Sequence, residues 1–143
     1  MGEARQVMDR VTEAAFDEDR ESLKKLYAAD AVAETPDQGT VSGADAIVAW
    51  FGQFSAAFPD AKWESAHKHE SGNVAIDEGY VVGTHTGPLP MPGGESVPAT
   101  GKNVRVRGCD AATVENGVVK SHRFYFDQME LLEQLGLAPE AQP

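Results

Sequence analysis

The sequence is poor in cysteine and in long apolar segments. It has one cysteine, Cys109, so an intramolecular disulfide is excluded, and a single free thiol suits a reducing compartment. No apolar run approaches the ~20 residues that cross a bilayer. The opening segment MGEARQVMDR carries charge from its third residue, which is unlike a signal peptide. We therefore expect a cytoplasmic protein without a membrane partner.

Basic residues are also scarce. Twelve Lys and Arg residues accompany 23 Asp and Glu residues, which gives a formal net charge of −11 at pH 7. A surface this acidic repels phosphate backbones and anionic lipids, so we expect no nucleic-acid partner. Neither a G-x-S-x-G nucleophile elbow nor a glycine-rich phosphate motif occurs in the chain. Serine-hydrolase and nucleotide-binding functions are therefore disfavoured.

A length of 143 residues predicts one domain spanning 1–143. Helical spacing of apolar residues predicts a helix around 7–15, and Asp19 is suited to cap a second, short helix. A third helix is predicted from Ser42, within a variant capping box that has Asp45 at its third helical position, to the stop at Pro59. One face of this helix is strongly apolar and aromatic: Ile47, Trp50, Phe51, Phe54 and Phe58.

The second half of the chain reads as strands. Residues 62–70, 73–86, 102–115 and 118–127 are rich in β-branched and aromatic side chains, and one short strand is predicted between 28 and 40. Asn116-Gly117 is a strong hairpin signal, so the last two strands should be antiparallel neighbours. Helices followed by antiparallel strands predict an α+β fold with the helices on one sheet face. The Pro- and Gly-rich segment 87–101 is long enough to form the rim of a binding site.

Alternation along the last two strands places Asp110 and His122 on the apolar face that should pack on the helices. Both lie at comparable distances from the hairpin tip, so a regular pairing brings their side chains together. A carboxylate on an apolar face needs a partner, and an imidazole meets that need. An acid–imidazole pair is also suited to proton transfer at carbon or oxygen.

Structural roles are the alternative for each of these residues. Asp110 could cap a backbone group or hold a core tyrosine such as Tyr80. His85, at the start of the long segment, could face a pocket mouth or fix the loop through a backbone carbonyl. His67 and His69 share a strand face with Trp63, but no third ligand lies nearby, so a solvent-side pair is favoured over a metal site.

The chain resembles the SnoaL-like polyketide cyclase family, within the cone-shaped fold of nuclear transport factor 2 and ketosteroid isomerase. The resemblance is carried by Gly83-Thr84-His85-Thr86-Gly87, Met91-Pro92, Thr100-Gly101-Lys102 and the closing segment from Gly117 to Leu137. It implies a curved antiparallel sheet around N-terminal helices, with a deep apolar cavity open at one end. It also implies ring closure of an aromatic polyketide ester by aldol condensation, without a cofactor or a metal.

The family's cyclases use a His and an Asp on the last two long strands. Counted from the hairpin glycine, the His position falls on Asp110 and the Asp position on Phe124. The resemblance therefore implies that the fold and the cavity are kept and that the usual pair is not.

We interpret the sequence as a cofactor-independent acid–base enzyme acting on a hydrophobic, polycyclic small molecule by aldol cyclisation or isomerisation. Asp110 would take a proton, with His122 or His85 stabilising the oxyanion or positioning the acid. The residues expected to hold the substrate are Trp50, Phe54, Tyr80, Phe124 and Phe126. A non-catalytic binding protein, and an epoxide hydrolase or hydroxylase using the same cavity, are the alternatives. A sheet with one uncovered face predicts a homodimer.

Overall fold

The structure, a computed structural model, describes residues 2–91 and 94–137. The helices are α1 (Glu3–Phe16), α2 (Arg20–Lys25), α3 (Ala44–Ala57) and α4 (Gln128–Gln134). The strands are β1 (Tyr27–Thr35), β2 (Gly39–Ser42), β3 (Lys62–Ser71), β4 (Val74–Thr84), β5 (Leu89–Pro90), β6 (Ser96–Val97), β7 (Asn103–Glu115) and β8 (Val118–Phe126). None of the helices in these two ranges is long and apolar enough to cross a membrane.

Six strands form one curved, unclosed sheet in the order β2-β1-β8-β7-β4-β3. Its neighbours are antiparallel except for β1 and β8, which run parallel. The antiparallel pairing of β7 and β8 confirms the hairpin predicted at Asn116-Gly117, and both of these residues have positive φ. The region around 28–40 holds a long strand and part of a second one, whereas the sequence predicted one short strand.

We call the sheet face that packs on the helices the inner face. Its small apolar side chains, such as Ala75 and Ala112, are fully buried against Val7, Met8 and Val11 of α1. Because the Ala and Val side chains on the sheet are small, α1 can pack close to the sheet. A second core cluster joins the end of α3 to β7 and α4 and contains Phe58, Val106 and Leu135.

The predicted cap of α2 is present, and a second aspartate caps α4. Asp19 accepts the backbone N–H of Ser22 at 3.1 Å, and Asp127 accepts that of Glu130 at 2.9 Å. The capping box predicted at Ser42 is wrong, because Ser42 is the last residue of β2 and its backbone belongs to the sheet. Gly43 caps α3 with φ +94° and no side-chain hydrogen bond. Only a residue that tolerates positive φ can turn the chain there from strand into helix.

Candidate functional site

A cavity of about 360 Å³ lies between the aromatic face of α3 and the inner face of the sheet. The α3 side of the wall consists of Trp50, Phe51, Phe54 and Phe58. Leu89, from the long segment after β4, also lines the cavity, as the predicted rim requires. A volume of this size is within the range of small-molecule sites in proteins. The aromatic stripe of α3 therefore forms one wall of a hollow space.

Asp110 and His122 meet on the inner face. The Nε2 atom of His122 lies 2.6 Å from Oδ2 of Asp110. The two residues are diagonal neighbours, since Asp110 is paired with Phe124 and His122 with Ala112. The His122 side chain is 1% exposed and that of Asp110 is 18% exposed. Both residues line the cavity, and the carboxylate is the more exposed of the two groups.

Tyr27, which sequence analysis did not single out, completes the arrangement. Its hydroxyl lies 2.6 Å from Nδ1 of His122, and the two rings stack with centroids 5.9 Å apart. Complete burial, together with the negative charge of Asp110, raises the pKa of Tyr27 well above its ordinary value. A hydroxyl that keeps its proton can donate to Nδ1, and this assignment leaves Nε2–H to donate to Asp110. The result is a hydrogen-bonded chain from Tyr27 through His122 to Asp110.

A second carboxylate, also missed from the sequence, lies across from Asp110. Asp77 on β4 is paired with Asp110 on β7 and is 1% exposed. Burial, and then the charge of Asp110, raise the pKa of Asp77, while Arg5 opposes both effects. The Nη2 atom of Arg5 is 2.6 Å from Oδ1 of Asp77, a contact without the geometry of a directed hydrogen bond. Arg5 thereby compensates a buried charge and ties α1 to the sheet next to the site.

Four of the five predicted substrate-binding residues line the cavity: Trp50, Phe54, Phe124 and Phe126. Phe124 is in the middle of this wall, with its ring centroid 4.0 Å from that of His122 and 4.6 Å from that of Trp50. The indole N–H of Trp50 is taken up by the carboxylate of Asp37, at 3.1 and 3.2 Å. These contacts fix the orientation of the aromatic wall beside Asp110.

The prediction for Tyr80 is wrong. Tyr80 is paired with Arg107, on the face of the sheet opposite to the cavity, and the guanidinium of Arg105 lies 3.7 Å from its ring centroid. The physical reason is the parity of β4, in which Asp77, Gly79 and Val81 take the inner face. The tyrosine that belongs to the site is Tyr27, on a strand that pairs with β8 from the other side.

His85 does not lie at the mouth of the cavity. Its side chain is fully buried, its Nδ1 is 2.9 Å from the hydroxyl of Thr100, and its ring packs on Phe58. Its backbone N–H and carbonyl bond Lys102 and Gly101. The structure thus gives His85 the loop-fixing place that the sequence left as its alternative, although the hydrogen-bond partner is Thr100.

The prediction that Trp63, His67 and His69 share one face of their strand is also wrong. The pairing of β3 with β4 shifts between Ser65 and His67, where a bulge adds one residue. Trp63 consequently lines the cavity, whereas the two histidines lie on the exposed side. His69 is 3.3 Å from Glu78 there. Within residues 2–91 and 94–137, no group of three or more His, Cys, Asp or Glu side chains is arranged to hold a metal ion.

A curved, unclosed sheet packed against N-terminal helices places the chain in the nuclear transport factor 2-like class of α+β folds. The profile of the SnoaL-like polyketide cyclase family matches residues 5–135. The chain belongs to this family.

Solved structures with the same fold carry different assignments. A protein from Jannaschia sp. CCS1 assigned as a SnoaL-like polyketide cyclase has 17% sequence identity and a TM-score of 0.84, over 96% of this chain and 94% of the other. AclR from Streptomyces galilaeus, assigned as a hydroxylase, has 24% identity and a TM-score of 0.80, over 98% and 85%. A protein with a ketosteroid isomerase-like fold from Catenulispora acidiphila DSM 44928 has 17% identity and a TM-score of 0.74, over 96% and 97%. No curated protein sequence matches the chain. These likenesses establish the fold and leave the chemistry to be argued from the site.

Proposed function

We propose that this protein catalyses cofactor-independent proton transfer at a carbon next to a carbonyl group. The substrate is a hydrophobic ring compound small enough to fit the cavity. The observation that carries the proposal is the hydrogen-bonded chain from Tyr27 to His122 to Asp110, which ends in an apolar cavity. Tyr27 and His122 are buried, so the carboxylate of Asp110 is the member of this hydrogen-bonded series that is most open to a ligand.

Asp110 is the general base in this scheme. It takes a proton from the carbon, the C–H electron pair forms the C=C bond of an enolate, and the carbonyl π electrons move to oxygen. In an aldol closure, the enolate carbon then attacks a second carbonyl carbon, and the resulting alkoxide takes the proton from Asp110, which restores the carboxylate. In an isomerisation, Asp110 returns its proton to another carbon of the same system. Both routes need a base within reach of the carbon and no redox partner.

His122 is a positioning residue in this scheme. Both of its ring nitrogens are engaged, with Tyr27 on one side and Asp110 on the other. It therefore holds the carboxylate in one orientation, which is one of the two roles that the sequence left open. The aromatic wall around Phe124 favours a flat, apolar substrate. Exclusion of water from such a wall strengthens the electrostatic interactions of the carboxylate.

The test uses 2-acetonaphthone, a flat two-ring ketone whose methyl protons lie next to its carbonyl. In D₂O we expect the protein to accelerate the exchange of these protons for deuterium, followed by proton NMR. Asp110→Asn should lower the catalysed rate by about 10²-fold or more, since the base is removed. Asp45→Asn is the matched control, because Asp45 is exposed, pairs with Lys24 and does not line the cavity. An Asp110→Asn variant that is folded and still catalyses exchange would contradict the proposal.

A second outcome separates catalysis from binding. If the wild-type protein binds the ketone and does not accelerate exchange, the cavity serves a non-catalytic binding function. Formation of a hydroxylated product from an aromatic substrate would instead support the hydroxylase alternative. Product analysis by mass spectrometry distinguishes hydroxylation, which adds the mass of oxygen, from cyclisation and isomerisation.

A homodimer formed through the sheet, a cytoplasmic location and the extent of the domain over 1–143 remain predictions. The outer side of β3 is exposed along nearly its whole length in the single chain, which is compatible with such a dimer. Light scattering after size-exclusion chromatography would test it. A mass of about one chain, 15.3 kDa, would contradict the dimer.

A further inference from the structure

The proposed reaction develops negative charge on the carbonyl oxygen of the substrate, and this charge needs a hydrogen-bond donor. The two histidines that the sequence suggested as oxyanion stabilisers, and two other polar side chains near the cavity, cannot supply this donor. Both ring nitrogens of His122 are engaged, and His85 is buried outside the cavity wall. Trp50 donates its indole N–H to Asp37, and the Thr12 hydroxyl donates to the Met8 carbonyl at 3.1 Å.

Trp63 has the required donor. Trp63 lines the cavity, and its indole Nε1 atom is shielded from solvent and has no hydrogen-bond partner. In the described part of the chain, two other buried side-chain atoms share this condition, Oδ1 of Asp77 and Nε2 of His85, and neither residue lines the cavity. A buried indole N–H in a folded protein usually has an acceptor. An unpaired one on a residue that lines a cavity points to a ligand as the acceptor, and because the Nε1 atom is covered in this structure, the indole ring must tilt toward the cavity for that bond to form.

The sheet provides a specific place for this indole. Gly79 of β4 and Gly108 of β7 are paired directly, next to the pair Asp77 and Asp110 on the same inner face. With no side chains on these two glycines, the ring of Trp63 can lie across both strands. A Cβ atom on Gly79 would come within 2.9 Å of Cζ2 of Trp63, and one on Gly108 within 3.7 Å of Cζ3. The indole is thereby held one residue pair away from the carboxylate.

We propose that the Nε1–H of Trp63 donates a hydrogen bond to the carbonyl oxygen of the substrate while Asp110 takes the neighbouring proton. Trp63 is then a catalytic residue, because it touches an atom whose charge changes in the reaction. This inference rests on the proposed function for its catalytic consequence, and its binding consequence can be measured without catalysis. It also narrows the substrate class to compounds with a carbonyl oxygen close to the acidic carbon.

The test compares two ligands that differ in a single group. 2-Acetonaphthone has a carbonyl oxygen, and 2-isopropenylnaphthalene has a CH₂ group in its place. Equilibrium dialysis of each ligand against wild type, Trp63→Phe and Trp50→Phe gives six dissociation constants. Trp63→Phe should weaken ketone binding by about 3- to 10-fold relative to olefin binding, the effect of one neutral hydrogen bond. Trp50→Phe should change both ligands by similar factors, since its N–H is already bonded to Asp37.

Catalysis supplies a separate readout. Trp63→Phe should lower the deuterium-exchange rate of bound ketone by about 10²-fold, as expected for the loss of one donor to a developing oxyanion. If the ligand comparison holds and wild type shows no exchange, the donor assignment stands and the proposed catalytic function fails. Equal weakening of ketone and olefin, or no weakening of either, would overturn the donor assignment and leave Trp63 a packing residue.

Trp63→Phe replaces a large indole by a smaller ring, and the variant could fail to fold for that reason. In that case, the Trp50→Phe variant leaves Trp63 as the chain's only indole, because the sequence has two tryptophans. Its ¹⁵N-labelled Nε1–H resonance should move downfield with 2-acetonaphthone and stay near its free position with 2-isopropenylnaphthalene. The same displacement with both ligands, or none with the ketone, would overturn the proposal.

Discussion

The substitution Tyr27→Phe tests the hydrogen-bonded chain at its buried end. It keeps the ring that stacks on His122 and removes only the hydroxyl, which lies 2.6 Å from Nδ1. Since Tyr27 is 4% exposed and His122 is 1% exposed, water cannot easily replace the lost partner. A buried polar group left without a partner costs about 1–3 kcal/mol. We expect the free energy of unfolding to fall by that amount.

Urea unfolding followed by circular dichroism measures this loss. With a slope of about 2 kcal/mol per molar urea, the midpoint should fall by roughly 0.5–1.5 M. Tyr125→Phe is the matched control, because the Tyr125 side chain is exposed, and its midpoint should not change. Deuterium exchange of 2-acetonaphthone should be slower in Tyr27→Phe but not abolished, since Asp110 remains. Equal midpoints for the two variants would refute the hydrogen bond between Tyr27 and His122.

Two further predictions concern the sheet and the attachment of α1. Gly79→Ala should destabilise the fold by about 1–3 kcal/mol, because its Cβ would collide with the Glu64 carbonyl oxygen. Gly108→Ala should have a small effect, because its Cβ would make only ordinary van der Waals contacts. Equal urea midpoints for the two variants would contradict this prediction. Glu70 accepts the backbone N–H groups of Gly2 and Arg5, each at 2.9 Å, and these bonds lower its pKa. Its stabilising contribution should therefore be present above about pH 4.5 and be lost as the pH falls through the lower folded-state value. The midpoint gap between wild type and Glu70→Gln should narrow as the pH is lowered from 7 through the titration of this carboxyl, and a gap that stays constant would contradict the assignment.

The hairpin and the inner-face pairing were predictable because they depend on local rules. Asn116-Gly117 supplies the positive φ values of a tight turn, and this fixes how β7 and β8 face each other. Strict alternation then places Asp110 and His122 on one side. The register contains an irregularity between Thr113 and Val114, yet the two side chains still meet diagonally.

The rest of the site depends on relations that alternation within one strand cannot supply. Tyr27 joins it through β1, which pairs with β8 in parallel after a long connection in the chain. Trp63 joins it because the bulge between Ser65 and His67 reverses the faces of β3. A bulge adds one residue without a recognisable sequence mark, so every assignment beyond it changes side. Asp77, in contrast, was detectable, since it alternates with Ala75, Gly79 and Val81.

The placement of the acid and the imidazole differs from the pair that the family resemblance implies. The resemblance implied a His at the position of Asp110 and an Asp at that of Phe124, and the structure places these two positions directly opposite each other. Here the acid is on β7, and the imidazole is on β8 one pair closer to the hairpin, covered by Phe124 and hydrogen-bonded to Tyr27. His122 lines the cavity, but both of its ring nitrogens are engaged, by Tyr27 and by Asp110, so the base in the proposed scheme is the carboxylate on β7. The position opposite Asp110 is occupied by the aromatic ring of Phe124. A flat ligand stacked on this ring would present its acidic carbon beside Asp110 and its carbonyl oxygen toward Trp63.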